Sequence, residues 1–497
     1  VSTLSTSSLR PLYKASQVRE LDQRTIAGGI ESFALMQRAA SSAWHSFRSR
    51  WPQARSVTVL CGGGNNGGDG HVLAALAMQS GLKVQRLSLK PRDALSGDVA
   101  RAAELATAAG VGFEEWHPHT TLAGEVIVDA LLGTGLSGEV EGSIKQAIKA
   151  MNTASQPVLA LDIPSGISAD TGAMLGTAVE ATCTVTFIGD KIGLHTGDAP
   201  AYTGDIDFRP LGVKAQAFFD IPPTAWRLDD ALLGEAFTPR SRTSHKGSLG
   251  HVLVMGGAPG FGGAALLASQ AAARLGAGKV TLATAHEHIT ASLVRCPEVM
   301  VRAVRGGADA ADLPASADVV VIGPGLGQES WGQAMLQSAL KASSPLVVDA
   351  DALNLLASRW PDLRRDNWIL TPHPGEAARL LGCSVSDVQA DRPEAARALQ
   401  RARGGIVILK GAGSLIAGPS GLVVCPYGNP GMASGGMGDI LSGMLGALVG
   451  QFNSLEQSAW LGVMAHALAG DEAAKAAGER GLLASDLASY ARVLINP

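Results

Sequence analysis

Little in this sequence is aromatic: phenylalanine, tyrosine and tryptophan together make up 4 % of 497 residues. Charge is also modest and balanced, with 40 Lys and Arg against 44 Asp and Glu. A net charge of -4 leaves no basic footprint for nucleic acid or an anionic membrane. The five cysteines, Cys61, Cys183, Cys296, Cys383 and Cys425, are scattered, odd in number and form no CxxC pair. That excludes a disulfide framework and a structural zinc site. They read as small buried hydrophobes of a reducing cytosol, so a cytoplasmic protein is expected. No apolar run reaches the roughly 18 residues of a membrane span. The opening VSTLSTSSLR lacks the apolar stretch of a secretory signal and is expected to be a frayed or trimmed end.

What the chain does have is glycine, 61 residues of it, and a 46 % hydrophobic fraction. The second figure is enough for proper cores and argues against disorder; the glycines follow no three-residue period, which excludes collagen. Short apolar, β-branched runs alternate with helical patterns in the first half. Ser56–Cys61, Val84–Leu89, Val126–Asp129, Val158–Asp162 and Thr182–Ile188 read as strands. The pattern weakens around Phe208–Pro239, where prolines recur, and this marks a boundary. A second series follows, with strands at His251–Met255, Val319–Ile322, Leu346–Val348, Trp368–Leu370 and Ile406–Lys410. Helices are expected at Ala264–Leu275, Gly375–Leu381, Gly436–Val449 and Ser458–Ala477. No repeat relates the halves, so two different α/β domains are expected, 1–225 and 226–497. Each should have a parallel sheet covered by helices, with ligands outside the carboxyl ends of its strands.

Three strand ends in the first half carry acids and glycines together. GGGNNGGDG, Gly62–Gly70, reads as a loop between a strand and a helix, where glycine admits close approach and helix amides hold phosphate. VDALLGTGLSG places Asp129 at a strand end, and LDIPSG does the same with Asp162. Asn66, Asp129 and oxygens near Ser165 form an oxygen-donor set suited to a hard cation. With TFIGDKIGL (Thr186–Leu194), these motifs resemble in content and order the N-terminal domain of the NAD(P)HX epimerases, over about residues 10–220. The resemblance implies a Rossmann-like three-layer fold that binds hydrated NADH or NADPH. It implies K⁺ held by Asn66, Asp129 and Ser165. It also implies substrate contacts from Asn65, Asn66, Gly67, Gly68 and Asp69, from Gly133, Thr134, Gly135, Leu136, Ser137, Gly138 and Glu139, and from Asp162. Asp162 is either the acid–base group or a ribose contact; Lys191 is either its partner in that chemistry or a structural ion pair.

In the second half the most informative stretch is NPGMASGGMGD, Asn429–Asp439, running into a helix. Unpaired amides and the helix dipole there form an anion hole. Asp439 is either a helix cap or a base that removes a hydroxyl proton as the hydroxyl attacks phosphorus. Lys410 closes a strand and opens a Gly-Ala-Gly turn that could cradle phosphate oxygens. HKGSLG, VMGGAPGFGGAALLA, GPGLG, DADALN, TPHPGE and ILKGAGSLI complete a resemblance to the ribokinase-like fold and, more narrowly, to its NAD(P)HX dehydratase branch, over about residues 235–497. The resemblance implies adenine-nucleotide contacts from Lys410, Gly411, Ala412, Gly413, Ser414 and Gly438. It implies a hydrated-nucleotide site at Ala265, Gly327, His373 and Asp439. Asp349 and Asp351 are either caps or Mg²⁺ and ligand contacts, and Glu376 stands where a carboxylate is favourable at any helix start.

Together the two resemblances imply nicotinamide nucleotide repair. The first domain would interconvert the R and S epimers of hydrated NAD(P)H, and the second would dehydrate the S form with Mg²⁺ and ADP as phosphoryl donor. A ribokinase-type small-molecule kinase fused to a dinucleotide-binding module is the alternative. The expected partners are the small molecules NADHX, NADPHX and ADP, with no nucleic acid, no membrane, and assembly as a homo-oligomer.

Overall fold

The computed structural model describes residues 8–496. The chain divides into two compact units. One is Pro11–Ala225; the other combines Trp226 onward with the described N-terminal residues up to Arg10.

The first strand of the chain, β1 (Leu9–Leu12), belongs to the second sheet, which it edges beside β9 (Ala225–Leu228). The Asp229 amide donates to the Ser8 carbonyl at 3.1 Å, and Arg10 pairs with Asp229 at 2.9 Å. Residues 8–10 are therefore ordered where a frayed end was expected; the rest of that expectation, residues 1–7, lies outside the described residues.

The first unit is built on β2 (Ser56–Cys61), β3 (Lys83–Ser88), β4 (Glu114–Glu115), β5 (Val126–Ala130), β6 (Val158–Leu161), β7 (Cys183–Phe187) and β8 (Asp205–Arg209). All pair in parallel, in the order 4-3-2-5-6-7-8. Side chains alternate between the faces of a strand. Val57, Val59 and Cys61 of β2 join one core with the helices Ser32–Arg50 and Asn65–Gln79. Leu60 joins another with Ala147, Ile148 and Met151 of the helix Gly142–Thr153. Both faces being buried, the strands are apolar throughout, which makes them legible as continuous runs. β8 was not anticipated. Its pattern, DIDFR, is charged and half-exposed, as suits an edge.

The second unit continues with β10 (His251–Met255), β11 (Lys279–Thr284), β12 (Met300–Ala303), β13 (Val319–Ile322), β14 (Leu346–Val348), β15 (Trp368–Leu370), β16 (Ile406–Leu409), β17 (Ser414–Gly418) and β18 (Gly421–Cys425). The order is 1-9-18-17-16-15-14-13-10-11-12. The strands from β12 to β16 in that order are parallel, while β16, β17 and β18 form an antiparallel meander. The helices Gly262–Arg274, Met437–Val449, Leu455–Ala477 and Ala484–Leu494 share one core on one face of the sheet. The alanines Ala459, Ala465, Ala467, Ala469 and Ala473 of Leu455–Ala477 lie in that core.

Each sheet has one place where the chain reverses its direction of addition. In the first it lies between β2 and β5; in the second, between β10 and β13. Loops leaving such a pair diverge and open a crevice at the strands' carboxyl ends.

Trp368 is fully buried on β15, with its indole N–H 3.3 Å from the Gly404 carbonyl. Trp368→Ala should lower the stability of the second unit by about 3–5 kcal/mol. Calorimetry of the full chain should show that unit's transition move down and the first unit's stay in place.

Candidate active sites

The cavity of the first unit, about 820 Å³, sits at its switch point. Asn65, Asn66, Asp69, Gly133, Thr134, Gly135, Leu136, Ser137 and Asp162 all line it. Gly138 and Glu139 follow, exposed and outside that lining. The stretch read as a loop to Gly70 is a loop only to Gly64. The helix begins at Asn65, so Asn65–Gly70 form its first turns. That changes what two of the glycines do. A Cβ on Gly67 would lie 2.0 Å from the Gly62 carbonyl oxygen, and one on Gly68 would lie 2.5 Å from Met36 Cε. Both let the helix seat on its neighbours, leaving Asn65, Asn66 and Asp69 to face the cavity.

The three residues expected at a cation meet around Leu132. Asn66 Nδ2 donates to the Leu132 carbonyl at 2.9 Å, and the Leu132 amide donates to Ser165 Oγ at 2.9 Å. Ser165 in turn donates to Asp129 through its hydroxyl at 2.7 Å and its amide at 2.8 Å. Asp129 is fully buried. Burial pushes its carboxyl up to about 6, against the donors from Ser165 and Leu131. Asn66 Oδ1 is buried with no hydrogen-bond partner among the described residues.

Asp162 is a non-glycine residue at φ 65°, where few L-residues other than Asn and Asp settle. Its amide bonds to the Val185 carbonyl at 2.7 Å. Its Oδ1 accepts from the Phe187 amide at 3.2 Å and from the ammonium of Lys191. Lys191 is fully buried and also donates to Thr186 Oγ1 at 2.9 Å and the Phe187 carbonyl at 3.0 Å. Lys191 is thus anchored in an ion pair with Asp162 by three hydrogen bonds. The cavity also gathers Arg19, Asp22 and Lys90, which sequence reasoning missed. Asp22 and Arg19 lie on an ordinary amphipathic helix, Ala15–Ala27, and no local pattern sets them apart.

In the second unit, Asp349 at the end of β14 is the centre. Its Oδ1 accepts from Lys410 Nζ at 2.8 Å and its Oδ2 from Ser442 Oγ at 2.7 Å. Burial raises the Asp349 carboxyl, but Lys410 and the donors outweigh it and hold it below the usual range. Burial likewise lowers Lys410, and Asp349, Glu376 and Asp439 reverse that, leaving it raised. Gly438 stands directly over this pair: a Cβ there would lie 3.2 Å from Lys410 Nζ. Asp439 is in the first turn of Met437–Val449, behind Gly436 at φ 91°. No donor among the described residues engages its carboxylate. Burial and then Asp349 push it up to about 7, with Lys410 opposing. It is therefore not a cap.

Asp351 accepts from the Gly327 amide at 3.0 Å and from Gln328 Nε2 at 3.0 Å, which ties the loop after β13 to the first turn of the helix Ala350–Arg359 that follows β14. His373 caps Pro374–Leu381 through Nδ1, accepting from the Gly375 amide at 2.9 Å. Burial lowers its pKa, helped by Lys410 and Arg379. Glu376 returns the cap by accepting from the His373 amide at 2.8 Å; burial pushes it up to about 7. Lys410, Gly411, Ala412, Gly413 and Ser414 form the turn of the β16–β17 hairpin, with Ser414 Oγ 3.1 Å from the Gly411 carbonyl. Buried Arg392 supports this turn from beneath, donating to the Lys410 carbonyl at 3.1 Å. Ala265 is fully buried against Gly256 and Gly257, so its side chain faces protein. Ser442, Arg392 and the His466 that holds the Met437 carbonyl at 2.9 Å are supports no motif announced.

Residues 252–492 match the NAD(P)H-hydrate dehydratase family, and residues 32–193 match the YjeF-related protein N-terminus family. The bifunctional NAD(P)H-hydrate repair enzyme of Coxiella burnetii is 49 % identical over 98 % of this chain and 99 % of its own. That of Escherichia coli is 44 % identical over 94 % of this chain and 90 % of its own. This chain belongs to the bifunctional NAD(P)H-hydrate repair enzyme family. A hypothetical protein of Streptococcus mutans is 31 % identical, covers 54 % of this chain and 98 % of its own, and superposes with a TM-score of 0.50. An ADP/ATP-dependent NAD(P)H-hydrate dehydratase of Bacillus subtilis, crystallised with ATP and Mg²⁺, is 30 % identical over 53 % of this chain and 95 % of its own, with a TM-score of 0.48. The repair enzyme thus joins a Rossmann-like three-layer unit to a ribokinase-like one.

The raised carboxyl of Asp439 has a consequence for stability. Below the unfolded carboxylate's range both states are protonated and nothing is lost. As pH rises toward about 7 the unfolded chain ionises first, and stability falls. Asp439→Asn should therefore raise the melting temperature of the second unit at pH 8. The gain should vanish near pH 4, as thermal scans at both values will read.

Proposed function

We propose that the first unit interconverts the R and S epimers of hydrated NADH or NADPH, and that the second phosphorylates the hydroxyl of the S form and eliminates phosphate. The observation that carries the second step is Asp439: an unpartnered carboxylate at a helix start, beside Gly438 and the Lys410–Asp349 pair. The hydroxyl attacks the terminal phosphorus of ADP as Asp439 takes its proton, the bridging P–O bond breaks and AMP leaves. The helix amides and Lys410 receive charge on the transferring group. Phosphate then leaves with a proton from the neighbouring ring carbon, restoring the double bond. Phosphate is a far better leaving group than hydroxide, which explains the use of a nucleotide. The turn Lys410–Ser414 and Gly438 hold the adenine nucleotide; Gly327, His373 and the backbone at Ala265 line the hydrated-nucleotide side.

Mg²⁺ fits as a passenger on the nucleotide. No group of three or more His, Cys, Asp or Glu among the described residues is placed to hold a metal. Asp349 and Asp351 are already engaged by protein donors. Such a shared, water-rich Mg²⁺ is normal for phosphoryl transfer. K⁺ is the cation we assign to the first unit: Asn66 Oδ1 has no partner among the described residues, and Asp129 and Ser165 supply further oxygens close by. Bound there, it would neutralise Asp129 and fix the loop that follows β5.

Asp162 is the group at the reacting carbon in the first unit. Lys191 positions it, and Asn65, Asn66, Asp69 and Gly133–Ser137 shape the substrate's berth. Unpaired cysteines throughout, four of them buried and Cys383 exposed, accord with a reducing cytoplasm.

The test is to supply hydrated NADH with Mg²⁺ and either ADP or ATP, following nicotinamide absorbance and phosphate release. Recovery should be faster with ADP. Asp439→Asn should abolish recovery while nucleotide binding persists. Asp162→Ala should leave only the S fraction rapidly recovered. A stable phosphorylated product without phosphate release would overturn the dehydratase in favour of a kinase.

A further inference from the structure

Three carboxyl groups line the cavity of the first unit: Asp22 from the helix Ala15–Ala27, Asp69 from Asn65–Gln79 and Asp162 after β6. Their surroundings differ. Asp162 accepts from the Lys191 ammonium and the Phe187 amide, partners that suit a carboxylate. Among the described residues, no donor engages the carboxyl of Asp69 or of Asp22. The charges that face Asp69 are Asp162 and Asp22, of like sign, and Lys191, which is committed to Asp162. Arg19 faces Asp22 from the same helix, and Lys90 lies on the wall beside Gly63. Of the cations at this cavity only Lys191 faces Asp69, and it is hydrogen-bonded to Asp162, so the like charges of Asp162 and Asp22 oppose ionisation of Asp69.

Epimerisation needs two proton-handling groups in opposite states at once. One must be ionised to take a proton and the other protonated to give one, and a single carboxyl cannot be both. We propose that Asp69 is the acid that partners the Asp162 base, and that Asp22 keeps the proton on Asp69; this rests on the epimerase reading above. Asp162 takes the hydroxyl proton as the bond between the hydroxyl-bearing carbon and the ring nitrogen breaks. The carbon–oxygen bond becomes a carbonyl, the bonding pair moves to nitrogen, and Asp69 gives that nitrogen its proton. Rotation about the adjoining carbon–carbon bond presents the other carbonyl face. Nitrogen attacks it, returns its proton to Asp69, and the oxygen recovers its own from Asp162. Nothing is oxidised or reduced, and both carboxyls end as they began.

The direction of the electrostatics agrees. Burial, then Asp162 and Asp22, push Asp69 well above the usual carboxylate range, with Lys191 opposing. Burial and Asp162 push Asp22 up to about 6, against Lys191 and Arg19.

The experiment uses the full chain and the R epimer of hydrated NADH, with nucleotide omitted so that the second unit is silent. The epimers are separated by chromatography and the rate is followed against pH. Wild type should give a bell, whose alkaline limb is the loss of the Asp69 proton. Asp69→Asn should lower kcat about 100-fold or more, with KM little changed, and erase that limb. Asp22→Asn should move the alkaline limb to lower pH, because a like charge no longer opposes ionisation of Asp69. A wild-type kcat in Asp69→Asn, or an unmoved limb in Asp22→Asn, overturns the assignment. Where Asp69→Asn fails to fold, the half-exposed Asp22→Asn decides alone. A wild-type chain that does not accelerate interconversion sinks the epimerase reading instead.

Discussion

Each unit of this chain gives one lysine to one aspartate at a strand end, and the chemistry is arranged around that pair. In the first it is Lys191 with Asp162; in the second, Lys410 with Asp349. A lysine as enclosed as Lys191 would be untenable alone, because burying an unpaired ammonium costs several kcal/mol. Pairing solves that problem and sets a second condition. The lysine is held by its partner, so at the neighbouring carboxyls its charge opposes the effect of burial without overcoming it. Asp22 and Asp69 in one unit, Glu376 and Asp439 in the other, are all pushed upward by burial. The pair gives one acid a hydrogen-bonded cation and leaves burial to raise the others.

Position follows from topology. Asp162 and Asp349 both occupy the residue after the last of a parallel strand, where the chain leaves the sheet. At such a point a carboxylate can be buried and still face a ligand. The glycines around it serve packing as much as binding. Gly67 lets a helix start close to its own strand, and Gly438 leaves room over Lys410 for another group.

Much of this could be read in the sequence. β2, β10, β13, β14 and β15 were legible to the residue, since strands buried on both faces are short, apolar and bounded by glycine or acid. GGMGD and LDIPSG announced Asp439 and Asp162, since each lies within a few residues of the loop that exposes it. What escaped was of longer range. Ser442 matters only through Asp349, 93 residues earlier. Asp22 enters its cavity from a helix with no unusual feature. β17 and β18 hid behind a GAG turn that resembled a phosphate loop but also closes a hairpin. The reach of NNGGDG was misjudged for a physical reason: glycine and asparagine favour turns in isolation, and only packing against Met36 and Gly62 turns this stretch into helix.

The two units solve opposite problems with the same device, and this bears on why one chain carries both. Ring opening and closing conserves every proton, so the epimerase needs an acid and a base that return to their starting states and is reversible without a donor. Phosphorylation consumes a nucleotide and runs one way, in our proposal through Asp439 at a helix start. A base so fixed would meet a hydroxyl from one direction, which would confine the second unit to one epimer. The other epimer would then accumulate as an unrepaired remainder. A reversible first step removes that remainder by mass action alone, so no transfer of intermediate between the units is required for the pair to clear the whole pool.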